Sequence, residues 1–348
     1  MNTSVHPSDG QERTIAHIDL DAFFVSCETF RKPELVGKPV IIAGSGPRAV
    51  VATASYQARE KGVGSGMPAA TARRLCPRAI FLPVDMAYYR ERSAEVMELI
   101  EELHVEWERA SVDEVYLDLT RANFPVDTAK RLIREIKNQL GLDASVGIGP
   151  NKLVAKIASD LDKPRGFVVL TLDQARRRLS EEPVKLIPGI GPKTDARLKE
   201  LGLLTIADLG AVPPEQLQRS FGTRRGQELS LKGRLLSDDP IAQRVARSRS
   251  VETTFDRDLL GITLMIEALR EQADKLGAQL RERDQKGRTI AIKLKHKDFT
   301  TVTRAKTLPE ATDDPALIFE IAEALLRRYD PKKPVRLLGV KVSGFVAH

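Results

Sequence analysis

An acidic pair interrupts an apolar segment in the first third of the chain. Residues 111–119 read SVDEVYLDL, so Asp113 and Glu114 lie among β-branched, aromatic and aliphatic residues that favour a β-strand. A buried carboxylate without a partner costs several kcal/mol even after the surroundings relax. A strand that carries such a pair therefore needs a compensating charge, and we expect a cation there.

A second acidic segment near the N-terminus fits the same kind of site. Residues 17–24 read HIDLDAFF, and the two-residue period of a strand places Asp19 and Asp21 on one face. Two acid-bearing strands side by side would form an oxygen-rich site suited to Mg²⁺. Asp21 has an alternative role, because an Asp before a helix that begins at Ala22 could cap that helix.

Length and composition limit the class of protein. A chain of 348 residues is expected to form two or three domains. No run approaches the roughly 18 apolar residues of a membrane span, and the polar first dozen residues lack the apolar core of a signal peptide. We therefore expect a cytoplasmic protein with no membrane partner. Cys27 and Cys76 lack metal-site spacing, which indicates buried free thiols.

The charge balance favours a polyanionic partner. The net charge is +7, although a solvated basic surface would give the same value. Aromatic residues make up only 5% of the chain, which argues against a protein that binds single strands on rows of stacking side chains. Contact with the backbone of a duplex is the better interpretation.

The order of the predicted elements in the first half is ferredoxin-like. If residues 23–85 are set aside as an insertion, the pattern reads strand, helix, strand, strand, helix, strand, with an appended helix. The elements are a strand over 14–21, a helix over 85–103, a hairpin over 104–119 with the acidic pair on its second strand, a helix over 128–140 that stops at Gly141, a strand over 144–148, a helix with Pro150 at its first position, and a strand over 167–170.

The insertion contains a glycine-rich segment. Residues 44–49 read GSGPRA and match a dinucleotide-binding fingerprint, but that fingerprint requires a following helix. Because residues 49–54 predict a strand instead, we interpret the segment as a hairpin turn. Short helices are expected from residue 55 to near 61–62 and over 67–75.

A second glycine turn lies among predicted short helices. Residues 186–194 read LIPGIGPKT and resemble a helix-hairpin-helix, in which Gly189 and Gly191 would expose backbone N–H groups to a DNA phosphate beside Lys193. The alternative is a purely structural turn.

The last hundred residues repeat the strand and helix order of the first half. Strands are predicted near 249–255, 289–297, 300–306 and 336–343, with helices near 263–282 and 315–329, after a basic linker over 238–248 that contains Arg244 and Arg247. The middle strand places Lys293, Lys295 and Lys297 on one face, where a row of ammonium groups could follow a phosphate backbone. The alternative is a solvated sheet face.

The acidic segments and nearby basic residues suggest a reaction class. Asp19, Asp113 and Glu114 on adjacent strands could hold two divalent ions roughly 4 Å apart, an arrangement suited to phosphoryl or nucleotidyl transfer. Tyr56 and Arg59 would share a helix face and could meet a triphosphate, and Lys163 could supply a further cation from a turn. Taken singly, an Arg or Lys is more often a surface charge.

In these segments the chain resembles a Y-family DNA polymerase of the bacterial DNA polymerase IV (DinB) type. The likeness runs from about residue 15 to 345 and rests on HIDLDAFF, VVATASYQAR, GVGSGMP, SVDEVYLD, SVGIGPNKLVAKIASDLDKPRG and LIPGIGPKT, in that order. It implies an α+β right-hand polymerase with a ferredoxin-like palm (14–22 and 86–170), small fingers (23–85), a helical thumb containing the helix-hairpin-helix (171–237), the basic linker (238–248) and a βαββαβ little finger (249–348).

The resemblance also implies site residues. Two Mg²⁺ ions, with Mn²⁺ as a substitute, would be held by Asp19, Asp113, Glu114 and the main-chain carbonyl of Leu20. The triphosphate contacts would be Thr53, Tyr56, Arg59 and Lys163. Phe24 would be the steric gate that excludes a ribose 2′-OH, with Phe23 beside it as a wall of the nucleotide pocket.

The implied function is error-prone translesion synthesis from a dNTP onto a primer 3′-OH by a monomer, with low processivity and no proofreading, in DNA repair and the DNA damage response. Primer–template DNA and dNTP are the implied partners. The sliding clamp is a further candidate partner, but no C-terminal Gln-Leu-x-Leu-type peptide is visible, so either the chain is trimmed or clamp binding is weak or differently placed. Residues 216–221 loosely resemble such a peptide, and we expect this segment to have a structural role within the thumb helices.

This sequence departs from the family pattern at Gln57, where a Glu is usual, and at Val112 and Val115, where Ile and Ala are usual. The rival functions are a nucleotidyl cyclase, a nuclease and a catalytically silent DNA-binding scaffold. The helix-hairpin-helix and basic C-terminal half argue against the cyclase, and the complete set of carboxylates argues against the scaffold.

Overall fold

The computed structural model describes residues 12–237, 239–243 and 245–346. Asp238 and Arg244 of the predicted linker, and the last two residues of the predicted little finger, lie outside these ranges. The described chain divides into two compact units, the first drawn from segments 1–43, 51–66 and 72–244 and the second from 44–50, 67–71 and 245–348. Each unit is described by itself.

The strands of the first unit form two sheets. They are β1 Ile15–Leu20, β2 Val40–Ala43, β3 Val51–Ala54, β4 Ile80–Pro83, β5 Glu106–Arg109, β6 Glu114–Asp118, β7 Ala144–Gly149 and β8 Phe167–Val169. The larger sheet has the strand order β5-β6-β1-β7-β8, and the smaller has the order β3-β2-β4. The predicted hairpin turn over 44–49 is confirmed, because β2 and β3 pair antiparallel on either side of it.

Helices accompany these strands in the predicted order. They are α1 Phe23–Arg31, α2 Tyr56–Arg59, α3 Ala69–Leu75, α4 Met86–Glu101, α5 Pro125–Leu140, α6 Lys152–Leu161, α7 Leu172–Leu179, α8 Pro192–Glu200, α9 Ile206–Ala211, α10 Pro214–Phe221 and α11 Thr223–Gly233. As predicted, α5 stops at Gly141, which takes the left-handed conformation with a φ of 69° that glycine adopts without strain.

The position of β1 in the larger sheet fixes the geometry of the acidic residues. β1 pairs antiparallel with β6 on one side and with β7 on the other. In this register Asp19 lies opposite Glu114 and also opposite Ser145. The two acidic segments therefore meet at one end of adjacent strands, as the sequence predicts.

The core of the first unit lies against the larger sheet and continues into its helical part. Ile18 and Leu117 of the sheet belong to one apolar cluster with Leu132 and Ile136 of α5. A second cluster joins Val154 and Ile157 of α6 to the helices that follow. Leu217 of α10, within the clamp-like segment 216–221, is fully buried in that second cluster.

The predicted start of α6 is wrong. Pro150 lies before the helix, and Asn151 caps it by accepting a hydrogen bond from the Val154 N–H at 2.9 Å. The helix packs closely on β7, since a Cβ added to Gly147 would lie 2.0 Å from the Ala155 carbonyl oxygen. Glycine at that position is therefore required by the approach of two backbones.

The second unit contains the predicted βαββαβ order. Its elements in the C-terminal region are β9 Ser248–Leu259, α12 Ile262–Glu282, β10 Gly287–His296, β11 Thr301–Thr312, α13 Pro315–Tyr329 and β12 Val335–Phe345. The sheet has the order β11-β10-β12-β9 and all its pairs are antiparallel. Leu269 of α12 and Leu326 of α13 are fully buried with Ile292 of β10, so the two helices cover one face of the sheet.

The other face of this sheet carries polar and basic side chains. Lys293 and Lys295 alternate along β10 with Ile292 and Leu294, which point into the core. The predicted strand extends one residue too far, because β10 ends at His296 and Lys297 lies in the following turn. No helix among the described residues is long and apolar enough to cross a membrane.

Candidate active site

The acidic pair lies where the turn of the β5–β6 hairpin enters its second strand. β6 begins at Glu114, and Asp113 precedes it, so the predicted strand position of Asp113 is wrong. Ser111 is the cause, since its hydroxyl oxygen accepts hydrogen bonds from the Asp113 N–H at 3.2 Å and the Glu114 N–H at 3.0 Å. The Ser111 hydroxyl also donates to the Asp113 carboxylate.

Backbone contacts place β1 against this turn. The Leu20 N–H donates to the Asp113 carbonyl oxygen at 2.9 Å, next to the register pair of Asp19 and Glu114. The predicted metal-binding residues are therefore neighbours at one end of the sheet. This much follows from an antiparallel pairing of the two acidic segments.

Each of two carboxylates at this end faces a lysine. The Lys163 ammonium lies 2.6 Å from Asp19 Oδ2 and 2.7 Å from Asp160 Oδ1. The Lys156 ammonium lies 2.6 Å from Glu114 Oε1. Burial opposes the charge on Lys163, but the facing carboxylates of Asp19 and Asp160 outweigh it and raise the pKa of Lys163 above its ordinary value.

Asp19 occupies an electrostatically crowded position. Burial raises the pKa of its carboxyl to about 7, and the neighbouring carboxylates of Glu114 and Asp113 act in the same direction against Lys163. A carboxylate that is buried near two others is a position at which an added cation is favoured.

The donors at this end suit a divalent cation. Carboxylate and backbone carbonyl oxygens are the ligands that Mg²⁺ prefers. Among the residues that the structure describes, no group of three or more His, Cys, Asp or Glu side chains is arranged to hold a metal ion. The reason is visible in the contacts above, since Asp19, Asp113 and Glu114 each turn towards a different partner: Lys163, Ser111 and Lys156.

A cavity of about 300 Å³ opens beside the carboxylates. The predicted nucleotide-contacting residues all line it, namely Phe23, Phe24, Thr53, Tyr56, Arg59 and Lys163. Asp19, Leu20 and Asp113 line it as well, and Glu114 does not. The structure thus brings together residues that are up to 144 positions apart in the sequence.

A larger cavity, of about 1270 Å³, opens at the other end of β6. Asp118 lines it, and none of the predicted site residues does. Asp118 accepts a hydrogen bond from the Thr120 N–H at 2.9 Å and faces Arg13 at 3.8 Å. These local contacts indicate a structural role for Asp118, and the predicted site residues of the first unit's larger sheet lie at the smaller cavity or beside it.

The proposed gate residue is held by an aromatic stack. The Phe24 ring lies parallel to the Tyr89 ring, with centroids 4.3 Å apart and planes 13° apart. Tyr89 is fully buried on α4 and donates to Glu28 Oε1 at 2.8 Å. Tyr89 was not predicted from the sequence, where its only signal is a place on the buried face of a helix.

Tyr56 and Arg59 are fixed at the cavity wall by α2. Ser55 caps this short helix, as its hydroxyl accepts from the Ala58 N–H at 3.4 Å. Arg59 donates to the Ala54 carbonyl oxygen at 2.9 Å, and its guanidinium lies 4.7 Å from the centre of the Tyr56 ring. Burial, followed by the charge of Asp21, raises the pKa of Tyr56 to about 12, so its hydroxyl stays a donor.

Asp21 does not cap α1, so the capping alternative is wrong. The residue at the start of α1 is Ala22, whose side chain makes no cap and whose φ of 44° is left-handed. The Asp21 carboxylate instead accepts from Ser145, Tyr56 and the Arg165 N–H. Asp21 does not line the smaller cavity.

Lys156 and His17 were not predicted from the sequence either. His17 is fully buried, with its Nδ1 2.8 Å from the Ser159 hydroxyl and its Nε2 3.9 Å from Glu114 Oε2. Burial, and then the nearby lysines, hold the pKa of His17 well below its ordinary value. The signal for Lys156 was its spacing of four from Lys152, which places both on one face of α6.

The predicted helix-hairpin-helix turn is present before α8. Gly189 has a φ of 88°, and Lys193 lies exposed in the first turn of the helix. Two basic side chains of α11 brace the turn: Arg225 donates to the Gly189 carbonyl oxygen at 2.7 Å, and Lys232 donates to the Pro188 carbonyl oxygen at 2.9 Å. These braces were not predicted.

The lysine row of the second unit is uneven. Lys293 forms an ion pair with Glu252 at 2.8 Å, and the Lys295 ammonium lies 5.7 Å from the centre of the Phe299 ring. Lys297 is exposed in the turn after β10. Lys341 of β12 is exposed and lies opposite Ala291 in the register, so it joins the face of Lys293, which sequence reasoning had not included.

Comparison with known proteins gives a consistent result. Residues 18–160 match the impB/mucB/samB family, residues 246–348 match the C-terminal domain of that family, and residues 185–234 match the DNA polymerase-iota thumb domain. The chain is 40% identical over 341 residues to a DNA polymerase IV of Desulfatibacillum aliphaticivorans, covering 96% of this chain and 86% of the relative. It is 39% identical over 339 residues to a DNA polymerase IV of Methanoculleus marisnigri, covering 95% and 94%.

Solved structures with the same fold include a Y-family DNA polymerase chimera of Dbh and Dpo4. That chimera has a TM-score of 0.87 and 27% identity, covering 96% of this chain and 100% of the other. An insertion ternary complex of Dbh DNA polymerase has a TM-score of 0.67 at 27% identity with the same coverage. The fold class predicted from the sequence is confirmed.

Proposed function

The chain belongs to the impB/mucB/samB family and is a Y-family, DNA-directed DNA polymerase of the DNA polymerase IV type, and on this basis we propose how it works. We propose that it joins a deoxynucleotide to a primer 3′-OH opposite a template that includes damaged bases. The substrates are primer–template DNA and dNTP. Synthesis is of low processivity and without proofreading, as the family resemblance implies.

The observation that carries this proposal is the composition of the smaller cavity. Asp19 and Asp113 line it together with the proton-donating Tyr56 and the cations of Arg59 and Lys163. Carboxylates that share one cavity with basic and hydroxyl donors suit a substrate that presents a polyphosphate to the donors and its reacting phosphorus to the carboxylates.

The metal ligands in this proposal are Asp19, Asp113, Glu114 and the Leu20 carbonyl. When bound there, two Mg²⁺ ions would lower the pKa of the primer hydroxyl and neutralise charge on the leaving pyrophosphate. The ion pairs of Asp19 with Lys163 and of Glu114 with Lys156 would break when the carboxylates bind the metal ions. Lys163, already at the cavity, would then take the triphosphate as its partner.

Phe24 selects the sugar in this proposal. Its ring lines the cavity and is fixed in orientation by the stack with Tyr89, so it cannot swing aside at little cost. A 2′-OH on the bound nucleotide would meet this ring. The small side chain of Ala52 on β3, which also lines the cavity, leaves room there for an altered template base.

DNA binding is assigned to two surfaces. The turn at Gly189 and Gly191 offers backbone N–H groups at the start of α8 beside the exposed Lys193. The open face of the second unit offers Lys293, Lys295 and Lys341, with Lys297 in the adjoining turn. Both surfaces read the phosphate backbone and carry no base specificity.

The domain division implied by the family is part of the proposal. The palm takes 14–22 and 86–170, the fingers 23–85, the thumb 171–237, the basic linker 238–248 and the little finger 249–348. We propose that the enzyme acts as a monomer in the cytoplasm. The sliding clamp remains a candidate partner.

Primer extension tests the proposal. We expect the protein to add dNTPs to a 5′-labelled primer annealed to a longer template, to stop when EDTA removes Mg²⁺, and to resume when Mg²⁺ or Mn²⁺ is restored. Products that shorten the primer would support a nuclease instead, and cyclised nucleotide would support a cyclase. No extension on undamaged and damaged templates over a range of salt and metal concentrations would contradict the proposed function.

A further inference from the structure

The Asp21 carboxylate joins segments of the first unit that are distant in sequence. Only 3% of Asp21 is exposed. Its Oδ1 accepts from the Tyr56 hydroxyl at 3.1 Å and from the Ser145 hydroxyl at 2.9 Å, and its Oδ2 accepts from the Arg165 N–H at 2.8 Å. The Ser145 hydroxyl also lies 3.1 Å from Oδ2.

These donors make the buried charge stable where it lies. A buried carboxylate needs hydrogen-bond donors to offset the loss of hydration, and bonds to a charged acceptor are stronger than those between neutral groups. Ser145 is itself tied to the same loop, because its hydroxyl accepts from the Gly166 N–H at 3.3 Å. The arrangement therefore holds its partners in fixed positions.

Two of the partners belong to segments that carry proposed nucleotide contacts. Tyr56 lines the cavity and begins α2, whose last residue is Arg59. Arg165 follows Lys163 by two residues in the loop after α6, and Lys163 also lines the cavity. Asp21 does not line the cavity, but it connects the two segments that carry Arg59 and Lys163.

The backbone at Asp21 also sets the start of α1. The Asp21 N–H donates to the Asp143 carbonyl oxygen at 2.8 Å, and the Asp21 carbonyl oxygen accepts from the Ser26 hydroxyl at 2.7 Å. The next residue, Ala22, has a left-handed φ of 44°, a conformation that a non-glycine residue adopts only when its surroundings enforce it. Phe23 and Phe24 follow directly on α1.

We propose that Asp21 is the positioning residue of the nucleotide pocket, which holds Tyr56 and the Lys163 loop at the spacing that a bound triphosphate requires. This inference rests on the proposed function. Asp21 acts through its neighbours and does not touch the nucleotide. It differs from a purely structural carboxylate in that its loss should weaken nucleotide binding selectively.

Asp21→Asn is the sharpest probe. The substitution keeps the size of the side chain and one acceptor oxygen, but its NH₂ group would face either the Arg165 N–H or the donating hydroxyls. The variant then loses either the hydrogen bond from the Arg165 N–H or those from the Tyr56 and Ser145 hydroxyls. Ser145→Ala removes the hydrogen bonds from Ser145 and leaves those from Tyr56 and Arg165, without changing a residue that lines the cavity. Asp118→Asn is the matched control, since Asp118 also accepts from a backbone N–H but lies at the larger cavity.

The experiment measures dNTP affinity on primer–template DNA whose primer ends in a dideoxynucleotide, so that no chemistry follows binding. We expect Asp21→Asn to raise the dNTP Kd about tenfold, Ser145→Ala to raise it by a smaller factor, and Asp118→Asn to leave it unchanged. The Kd for primer–template DNA and the melting temperature of Asp21→Asn should stay close to those of the wild type. In the extension assay the KM for dNTP should rise more than kcat falls.

Two results would overturn the inference. The first is an unchanged dNTP Kd in Asp21→Asn. The second is a joint loss of DNA and dNTP binding with a large fall in melting temperature, which would assign Asp21 to folding alone. Because wild-type extension is measured in parallel, failure of the proposed function would appear there, independently of the Asp21 variant.

Discussion

The larger sheet of the first unit and the sheet of the second unit share the βαββαβ order along the chain, but their strand orders within the sheet differ and they carry opposite charges in different places. In the first, carboxylates lie at strand ends, where Asp19 meets Glu114 and each faces a lysine at 2.6 Å. In the second, lysines lie along the open face of the middle strands, and Lys293 has one carboxylate partner. Strand ends converge on a point, whereas a sheet face extends over a surface.

This difference separates two kinds of work. Converging carboxylates suit a reaction at one phosphorus atom, and an extended basic face suits a polymer of phosphates. If the comparison is right, changes at the strand ends should remove chemistry and spare DNA affinity. Changes on the lysine face should do the reverse.

The largest effect should follow from Glu114→Gln or Asp113→Asn. We expect the extension rate to fall by on the order of 10³-fold or more, since either change removes a charge that the metal ions need. Single-turnover extension measures the rate. Asp118→Asn, at the other end of β6, should retain most of the activity. An equal loss in Asp118→Asn would contradict the comparison, because it would show that acidic residues anywhere on β6 are needed for the structure of the strand.

Phe24→Ala should change sugar selection rather than the overall rate. We expect discrimination between dNTP and rNTP, taken from the ratio of their kcat/KM values, to fall by on the order of 10²-fold because the ring that meets the 2′-OH is gone. Phe30 on the same helix is exposed and does not line the cavity, so Phe30→Ala is the matched control. Unaltered discrimination in Phe24→Ala would show that this ring is not the sugar gate.

Lys163→Ala should raise the KM for dNTP about tenfold, because the variant cannot form a charge-assisted bond to the triphosphate. Lys137→Ala controls for the loss of a lysine that pairs with an aspartate, as Lys137 lies 3.1 Å from Asp143 on the surface. An unchanged KM would show that Lys163 does not contact the triphosphate and only pairs with Asp19 and Asp160.

Removing Lys293, Lys295 and Lys297 together should weaken DNA binding and flatten its salt dependence. For every phosphate that the variant no longer neutralises, the slope of log K against log salt should become shallower by about 0.9. Lys275→Ala, on the exposed side of α12, is the control for net charge. An unchanged slope in the triple variant would show that these lysines do not contact DNA phosphates and that this face is only a solvated surface.

The smallest effect concerns Glu252, which pairs with Lys293 at 2.8 Å. Glu252→Gln frees an ammonium group and removes a repulsive carboxylate from the face. We expect DNA affinity to rise by about twofold to fivefold at low salt, a gain that disappears at high salt. Weaker DNA binding would mean that the ion pair holds Lys293 in its binding position.

Much of the fold was predictable because hydrophobic period and turn residues are local signals. The two βαββαβ orders and the stop at Gly141 follow from such signals, whereas the adjacency of the two acidic segments was expected from their need for a shared cation. The errors were local as well. Asn151 caps α6, which begins at Lys152 instead of Pro150, and the Ser111 hydroxyl keeps Asp113 out of β6.

The parts of the site that were not predicted depend on contacts across the chain. The Asp21 carboxylate meets Ser145 and Arg165, more than a hundred residues away, and Lys156 meets Glu114 from a different element. No period or spacing in a single sequence encodes such meetings. The family resemblance supplied the residues that we propose touch the substrate, but not Tyr89, Asp21 or Lys156, which contact them.

The most direct test of the division between acidic strand ends and basic sheet face measures primer–template Kd and single-nucleotide extension rate side by side in Glu114→Gln and in the triple lysine variant. We predict that Glu114→Gln binds DNA with nearly wild-type affinity and fails to extend the primer. The lysine variant should bind more weakly and extend at close to the wild-type rate once DNA is saturating. Loss of DNA binding in Glu114→Gln, or loss of the saturated rate in the lysine variant, would contradict that division.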